Sequence, residues 1–198
     1  MIESVEQLRE LYPQPRERTL KKQLSSLDRH CKRFIELSPF AVVATGSRNG
    51  FDASPRGGEP GFVRVVDNVT LWMPDSPGNN RLDSLVNIIE SGRIGLVFLI
   101  PGVDETLRIN GTARLNTDNE VIQSFAATGR VPRLVVQITI EEAYLHCAKA
   151  LMRSKLWAEE SRRDRSVLPT MGEMMFDQTG LGQPESQPDM LARYRADL

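Results

Sequence analysis

The first forty residues have apolar positions at helical spacing. Residues 4–11 predict a short helix that two prolines interrupt. A second helix is predicted from Arg16 to about Leu37, where Ser38-Pro39 ends it. The apolar stripe of this second helix consists of Leu20, Leu24, Leu27, Cys31 and either Phe34 or Ile35. A helix lying on a sheet explains the stripe better than a coiled-coil partner does, so we expect N-terminal helices packed on the following domain.

The middle of the chain has the alternation and the short apolar runs of β-strands. Tight turns are indicated at Asn49-Gly50 and at Asp67-Asn68. The predicted strands cover residues 40–46, 51–54, 62–66, 69–73, 94–100, 106–115, 134–140 and 143–147.

Few helices interrupt these predicted strands. One begins after Arg81, and its predicted apolar face consists of Leu82, Leu85, Val86 and Ile89. A second, of about ten residues, begins near residue 117, and residues 149–160 also have helical character. Short antiparallel strands with so few helices predict a mainly β fold with flanking helices, a closed or partly closed barrel rather than a doubly wound parallel sheet.

Composition and charge exclude several classes of function. The chain has 198 residues, of which 40% are hydrophobic and 26% charged, with a formal net charge of −1. This charge argues against non-specific nucleic-acid binding. Two cysteines and two histidines are too few for a disulfide framework or a histidine-based metal centre. No apolar run reaches the length of a membrane helix, and the N-terminal residues have no signal-peptide core, so a cytoplasmic protein is expected.

Three polar clusters interrupt the apolar strands and are candidate sites. They are residues 52–57, residues 73–81 and residues 106–111. In the second cluster, Asn79, Asn80 and Arg81 lie where a helix begins, and free backbone N–H groups and a guanidinium suit a phosphate. Each cluster also has a simpler interpretation: a surface loop, a helix cap and an exposed strand face, respectively.

Motifs of nucleophilic catalysis and of nucleotide loops are absent from the sequence. There is no Gly-x-Ser-x-Gly elbow, Walker loop or Gly-x-Gly-x-x-Gly pattern after a strand. His146 and Cys147 are adjacent, but neighbours on a strand point to opposite faces, so a core or interface role is favoured for both. The catalytic residues are therefore unknown, and any demanding chemistry is expected to come from a cofactor.

The order of these elements resembles the pyridoxamine 5′-phosphate oxidase-like family of FMN-binding split barrels. The resemblance covers about residues 38–160 and is closest to a subgroup described only as FMN-dependent. It is carried by these segments: Ser54-Pro55-Arg56-Gly57, Leu71-Trp72-Met73-Pro74-Asp75, Asn79-Asn80-Arg81-Leu82-Asp83-Ser84-Leu85, the strand at residues 94–100, Leu107-Arg108-Ile109-Asn110-Gly111-Thr112-Ala113 and His146-Cys147-Ala148-Lys149-Ala150.

The resemblance implies an antiparallel split β-barrel over residues 38–160, flanked by an N-terminal helical segment (residues 1–37) and a C-terminal extension (residues 161–198). The tail from Gly180 is polar and rich in proline and glutamine, so it is expected to be loosely ordered unless a partner subunit holds it. It also implies a homodimer with FMN at the dimer interface. The matching cofactor positions are Ser54, Arg56, Met73, Pro74, Asp75, Asn79, Asn80, Arg81, Thr106, Arg108, Lys149, Arg153, Ser154 and Trp157.

Each group of matching positions implies a different contact with the flavin. Asn80 and Arg81 match the polar and basic pair that binds the flavin phosphate in the family. Ser54 and Arg56 match a strand-end position that supplies a further phosphate contact. The backbone of residues 73–75 would lie beside the isoalloxazine ring and the ribityl chain, and the side chains of Met73 and Trp157 are candidates to pack on the ring. Thr106 and Arg108 match a strand that faces the flavin from the second subunit. The matching positions in residues 149–157 correspond to a segment that closes over the flavin.

Two classes of function remain open at this point, and a dimeric split barrel without a ligand is a third possibility. The first is an FMN-dependent oxidoreductase that transfers hydride at the flavin, with an unknown small-molecule substrate and NAD(P)H as a candidate electron donor. The second is a non-catalytic protein that binds flavin, haem or another small ligand on the same scaffold. The sequence lacks the C-terminal tryptophan-to-arginine motif of the true oxidases, which argues against pyridoxamine phosphate as the substrate.

Overall fold

The structure, a computed structural model, describes residues 1–128 and 131–195, with nothing said of the side chain of residue 128. The chain forms two compact units, Met1–Ser154 and Lys155–Leu198. Within the described residues, no helix has the length and apolar character needed to cross a membrane.

The first unit is built on one antiparallel sheet of seven strands. The strands are β1 (Phe40–Ser47), β2 (Gly50–Gly57), β3 (Arg64–Val65), β4 (Thr70–Pro74), β5 (Arg93–Leu99), β6 (Thr106–Asn116) and β7 (Val135–His146). Their order across the sheet is β2-β1-β5-β6-β7-β4-β3, and all pairings are antiparallel. The sheet does not close on itself. Its antiparallel strands and flanking helices confirm the predicted split barrel.

Eight α-helices accompany the sheet in the described residues. They are α1 (Val5–Glu10), α2 (Glu17–Lys21), α3 (Arg29–Leu37), α4 (Asp83–Ser91), α5 (Asn119–Gln123), α6 (Lys149–Ser154), α7 (Met171–Thr179) and α8 (Gln187–Arg195). α5 is half as long as its capping signal predicted. α6 ends six residues before the end of the predicted helix, and α8 lies in the tail that was expected to be loosely ordered.

The helix predicted from Arg16 to Leu37 is wrong, because the chain leaves the helical conformation between α2 and α3. Leu24 instead pairs with Ala143 of β7 through two backbone hydrogen bonds, of 2.9 and 2.8 Å. Asp28 then caps α3 by accepting hydrogen bonds from the backbone N–H groups of His30 and Cys31. The buried residues of α3 are Cys31, Phe34 and Ile35, and α3 contacts β3, β6 and β7.

The core lies on one face of the sheet, where alternate strand residues are buried. Its largest fully buried side chains include Phe98, Leu107, Ile109 and Ile138. α4 covers this face above β1 and β2. However, the predicted apolar face of α4 is wrong: Leu82, Val86 and Ile89 are exposed, Leu85 is partly buried, and the buried residues of the helix are Ser84, Asn87 and Ile88.

A β-bulge bends β7 where two separate strands were predicted. Asn110 of β6 pairs with Glu142, whereas the next residue, Gly111, pairs with Ile140, so Glu141 has no partner of its own on β6. Gly111 lies so close to β7 that a Cβ atom there would be 2.0 Å from the carbonyl oxygen of Thr139. The bulge therefore allows one strand to run continuously from Val135 to His146.

Candidate functional site

A polar cluster lies on the core face of the sheet, between β2 and the start of α4. Ser54 and Arg56 of β2 pair with Val43 and Ala41, whose side chains are buried, so the β2 side chains face the same way. The Arg56 guanidinium donates to the hydroxyl of Ser54 (2.5 Å) and to that of Ser84 in the first turn of α4 (3.2 Å).

Asp52 completes this cluster, which we call the Arg56 cluster: Asp52, Ser54, Arg56 and Ser84. The Ser84 hydroxyl donates to the Asp52 carboxylate while it accepts from Arg56. Ser84 is only 4% exposed, so both of its hydrogen bonds are made away from water. Arg56 is thereby fixed with its guanidinium at the N-terminal end of α4.

The segment before α4 adopts an unusual backbone conformation. Asn80 and Leu82 both have positive φ, of 58° and 62°, which non-glycine residues rarely adopt. Leu82 is the N-cap residue of α4, and no side chain caps this helix end. The N–H groups of the first turn of α4 therefore remain available to an anion.

Asn79 and Arg81 lie in the same segment, and both are exposed. The side chain of Asn79 accepts a hydrogen bond from the backbone N–H of Arg81 (3.1 Å). The guanidinium of Arg81 is paired with Asp83 at 2.8 Å, and its side chain is 73% exposed. Arg81 is thus near the helix start but is engaged on the surface, whereas Arg56 reaches the helix from the sheet.

Asp75, at the end of β4, is a partly buried carboxyl close to two arginines. Its backbone N–H donates to the carbonyl oxygen of Leu134 at 3.0 Å. Burial raises the pKa of the Asp75 carboxyl, and the positive charges of Arg56 and Arg133 oppose that rise. Asp75 therefore belongs to the electrostatic surroundings of the Arg56 cluster.

Thr106 and Arg108 lie elsewhere in the same unit. They belong to β6, which is three strands away from β2 in the sheet order. Arg108 pairs with Tyr144 of β7 and with Val97 of β5, on the outer face of the sheet, opposite the core. One chain therefore does not bring these two residues to the Arg56 cluster.

The outer face of β2, β1 and β5 is apolar, and several of its side chains are exposed. Phe51 is 95% exposed, and Phe40 is 37% exposed. Other residues on this face are Ala53 and Pro55 of β2, Val42 and Ala44 of β1, and Val97 and Leu99 of β5. A contiguous apolar surface of this kind is typical of a protein–protein interface.

The remaining predicted positions lie in three places. Met73 is buried in the core, only 3% exposed, so the suggestion that its side chain packs on a ring is wrong; Pro74 ends β4 beside it. Lys149, Arg153 and Ser154 are exposed on α6, where the Ser154 hydroxyl donates to the carbonyl oxygen of Leu151. Trp157 belongs to the second unit.

The sequence analysis gave no cofactor role to three residues of the candidate site: Asp52, Ser84 and Arg133. Asp52 was included in the cluster of residues 52–57, and its alternation with Ser54 and Arg56 places it on the same strand face. Ser84 was given no such role, since the apolar periodicity of α4 placed Leu82 and Val86 inward. Arg133 reaches Asp75 only through the fold.

Metal and thiol chemistry find no support in the described residues. No group of three or more His, Cys, Asp or Glu side chains converges there to hold a metal ion. Burial raises the pKa of the Cys31 thiol to about 11, so this thiol stays protonated at neutral pH. Cys147 is exposed at the end of β7.

Comparisons with known proteins found several solved structures that are similar to this chain. HupZ from Group A Streptococcus has a similar structure (TM-score 0.51, 21% identity, 60% of this chain and 93% of that chain). An FMN-binding protein from Syntrophomonas wolfei matches with TM-score 0.46 and 11% identity over 61% of this chain and 88% of its own. An FAD-binding protein from Mycobacterium smegmatis matches with TM-score 0.44 and 14% identity over 62% and 97%.

At these identities the likeness to HupZ shows the fold alone. No curated protein matches the chain. The family model of pyridoxamine 5′-phosphate oxidase matches residues 27–147, which is more than half of the chain and includes the whole seven-stranded sheet. The chain therefore belongs to the pyridoxamine 5′-phosphate oxidase family, as the order of its motifs predicted.

Proposed function

We propose that this protein binds FMN and is an FMN-dependent oxidoreductase that acts on a small molecule. The observation that carries the proposal is the Arg56 cluster at the uncapped N-terminus of α4. It offers a fixed guanidinium, a buried hydroxyl and the N–H groups of a nine-residue helix. Helix N–H groups and arginine are the donors that a phosphate dianion prefers.

The residues present fit the phosphate end of the cofactor. Arg56 forms no ion pair within the described part of the chain, and its contacts with Ser54, Pro55 and Ser84 leave guanidinium N–H groups for a ligand. Arg81 lies at the same helix start and would add a second positive charge if it exchanged Asp83 for the phosphate.

We further propose that the active unit is a homodimer with the flavin at its interface. Thr106 and Arg108 are three strands from the Arg56 cluster and on the opposite face, so they would meet only the flavin held by a second copy. The apolar outer face of β2, β1 and β5 supplies the surface that a second copy would bury.

When bound, flavin supplies hydride transfer, so the protein needs no acid–base pair of its own. The chain's task would be to hold the phosphate with Arg56 and the α4 start, to place the cofactor beside the end of β4, and to exclude water with the second copy. Because these roles are binding and positioning, they agree with the lack of a nucleophile–base pair in the sequence.

The absorbance spectrum of the purified protein tests the proposed function. We expect flavin bands, either as isolated or after addition of FMN, and their bleaching by NADH or NADPH under anaerobic conditions. Flavin bands that no donor bleaches would favour a non-catalytic binder, and a Soret band would favour haem. A colourless protein that takes up no FMN would overturn the flavin proposal.

A charge on the outer face should disrupt the dimer. Val42 lies between Pro55 and Val97 on this face, so Val42→Glu would place an unpaired carboxylate in the interface. We expect the dimer to weaken by about 3 kcal/mol, on the order of a hundredfold in Kd, with a parallel loss of FMN affinity.

Light scattering and FMN titration measure the two effects. Val66→Glu is the matched control, because Val66 is 43% exposed in the turn between β3 and β4 and lies outside that face. A wild-type protein that is monomeric at micromolar concentration would contradict the dimer, as would a Val42→Glu dimer of unchanged affinity.

A further inference from the structure

A second group of basic side chains surrounds Tyr144 on the outer face of the sheet. The guanidinium carbon of Arg108 is 5.2 Å from the centroid of the Tyr144 ring, and the ammonium nitrogen of Lys22 is 5.8 Å from it. Arg108 reaches the ring from β6, whereas Lys22 reaches it from the segment that pairs with the other edge of β7. Both distances are those of cation–π contacts.

Lys22 is held in place and is not a freely moving surface lysine. Its ammonium group donates to the carbonyl oxygen of Leu145 at 2.9 Å. Two residues along, Leu24 exchanges two backbone hydrogen bonds with Ala143. The position of the Lys22 charge is therefore fixed relative to β7, which is the preorganisation that a binding site requires.

His146 adds a third basic group to this surface. It lies two residues beyond Tyr144 on β7, so both side chains are on the same face, and it pairs with Thr106. Burial lowers the pKa of His146, and the charges of Arg108 and Lys22 lower it further. All three basic groups therefore lie within electrostatic range of one another.

The carboxylates that neighbour these groups are engaged elsewhere. Neither Lys22 nor Arg108 forms an ion pair with any residue among 1–128 and 131–195. Glu142 accepts hydrogen bonds from the side-chain amides of Asn110 and Gln23, and Asp28 accepts from the N-terminal N–H groups of α3. The donors to these two carboxylates are neutral, so both keep their negative charge, but in the described residues neither forms an ion pair with Lys22 or Arg108.

A depression of about 200 Å³ adjoins Lys22 and Tyr144. Its lining residues are Lys22, Leu24, Asp28, Cys31, Tyr144 and Leu145. This volume is below the roughly 300–1,000 Å³ of sites that enclose a whole drug-sized ligand. Its size admits one small group at the end of a larger molecule, and Lys22 is the basic side chain in its lining.

We propose that Lys22, Arg108 and His146 form an anion subsite, which binds the phosphate monoester or the carboxylate of a small-molecule ligand. The subsite is on the opposite face from the Arg56 cluster, so in one chain the two sites hold different anions. If the proposed function holds, Arg108 faces the flavin of the second copy, and the anion bound here is an acidic group of the substrate.

Histidine NMR tests the subsite directly, because the chain has only two histidines, His30 and His146. His30 is exposed at the start of α3 and serves as the internal control. FMN-loaded protein with labelled histidine is titrated with inorganic phosphate and, separately, with acetate, at an ionic strength kept constant with chloride. We expect a saturable shift of the His146 signals alone and a rise in the His146 pKa on binding.

A matched pair of variants separates the subsite from general charge effects. Lys22→Gln should weaken the binding seen at His146 by at least about tenfold, as expected for loss of one charge-assisted hydrogen bond. Lys21→Gln removes the same charge one residue away, where Lys21 is paired with Glu17 at 2.6 Å, and should leave the binding unchanged.

The outcomes decide both the proposal and the class of ligand. Tighter binding of phosphate indicates a phosphate ester, and tighter binding of acetate a carboxylate. Equal, non-saturating shifts of both histidines, or equal affinity in Lys22→Gln and Lys21→Gln, would overturn the subsite. FMN affinity is measured on the same variants: if no variant binds FMN, the proposed function fails, while the titration of flavin-free protein still tests the subsite.

Discussion

Gly111→Ala is expected to destabilise the first unit by about 3 kcal/mol or more, at the upper end of overpacking effects. A Cβ atom at this position would be 2.0 Å from the carbonyl oxygen of Thr139 and 3.2 Å from the backbone nitrogen of Glu141. Both neighbours are backbone atoms of β7, so no side-chain rotation relieves the clash. β6 and β7 form the longest pairing in the sheet, and its separation would expose core residues such as Ile109 and Ile138.

Urea unfolding followed by circular dichroism measures this effect. Gly78→Ala is the matched control, because a Cβ atom there has no heavy atom within 4 Å. We expect Gly78→Ala to stabilise the folded state by about 0.4–1 kcal/mol, because alanine loses less chain entropy on folding than glycine does. A Gly111→Ala midpoint equal to that of the unaltered protein would show that β7 can move away from β6 at little cost.

Arg56→Ala is expected to weaken FMN binding by about 1.5–3 kcal/mol, or roughly 10–150-fold in Kd. Arg56 is ordered by Ser54 and Ser84 before any ligand arrives, so its remaining N–H groups are available without loss of side-chain freedom. Arg56→Lys should recover only part of the affinity, because an ammonium group keeps the charge but loses the planar fork of donors.

FMN fluorescence quenching measures both variants, with Arg48→Ala as a control of equal charge in the exposed turn between β1 and β2. Arg81→Ala should have a smaller effect than Arg56→Ala, since Arg81 is 73% exposed and already paired with Asp83. A larger loss in Arg81→Ala than in Arg56→Ala would show that the exposed arginine, not the one on β2, holds the phosphate.

The strands were predictable because a half-buried strand leaves a period of two in the sequence. β1, β5 and β6 begin and end within one residue of the predicted bounds. β2 continues through Pro55, which is tolerated because β2 is an edge strand and lacks a second neighbour that would need the missing N–H.

The helices were less predictable, because long-range contacts decide their bounds and faces. The apolar stripe around Leu24 is compatible with a helix, and only pairing with a residue 119 positions away, Ala143, excludes it. In α4 the buried positions are polar: Asn87 donates to Thr45, and Ser84 joins Asp52 and Arg56. Periodicity of apolar residues does not reveal a buried face built from hydrogen bonds.

The same limit explains the candidate site. Ser54 and Arg56 were found because they lie at a strand end in a recognisable motif. Asp52, on the same strand, was included in the same polar cluster but was given no cofactor role. The weight placed on Arg81 followed from its position at the helix start. Its pairing with Asp83, two residues away, depends on side-chain geometry that spacing alone does not give.

The pairing of Leu24 with Ala143 also bears on how the protein avoids aggregation. β4 pairs with β7 as far as Thr139, and Val69 accepts a hydrogen bond from the backbone N–H of Ile140. The stretch after Ile140 would otherwise present unpaired backbone groups along an open edge. Open edges recruit strands from other molecules. The segment from Lys22 to Leu24 closes this one, and shortening the chain past it would turn a monomer surface into a template for intermolecular strand addition.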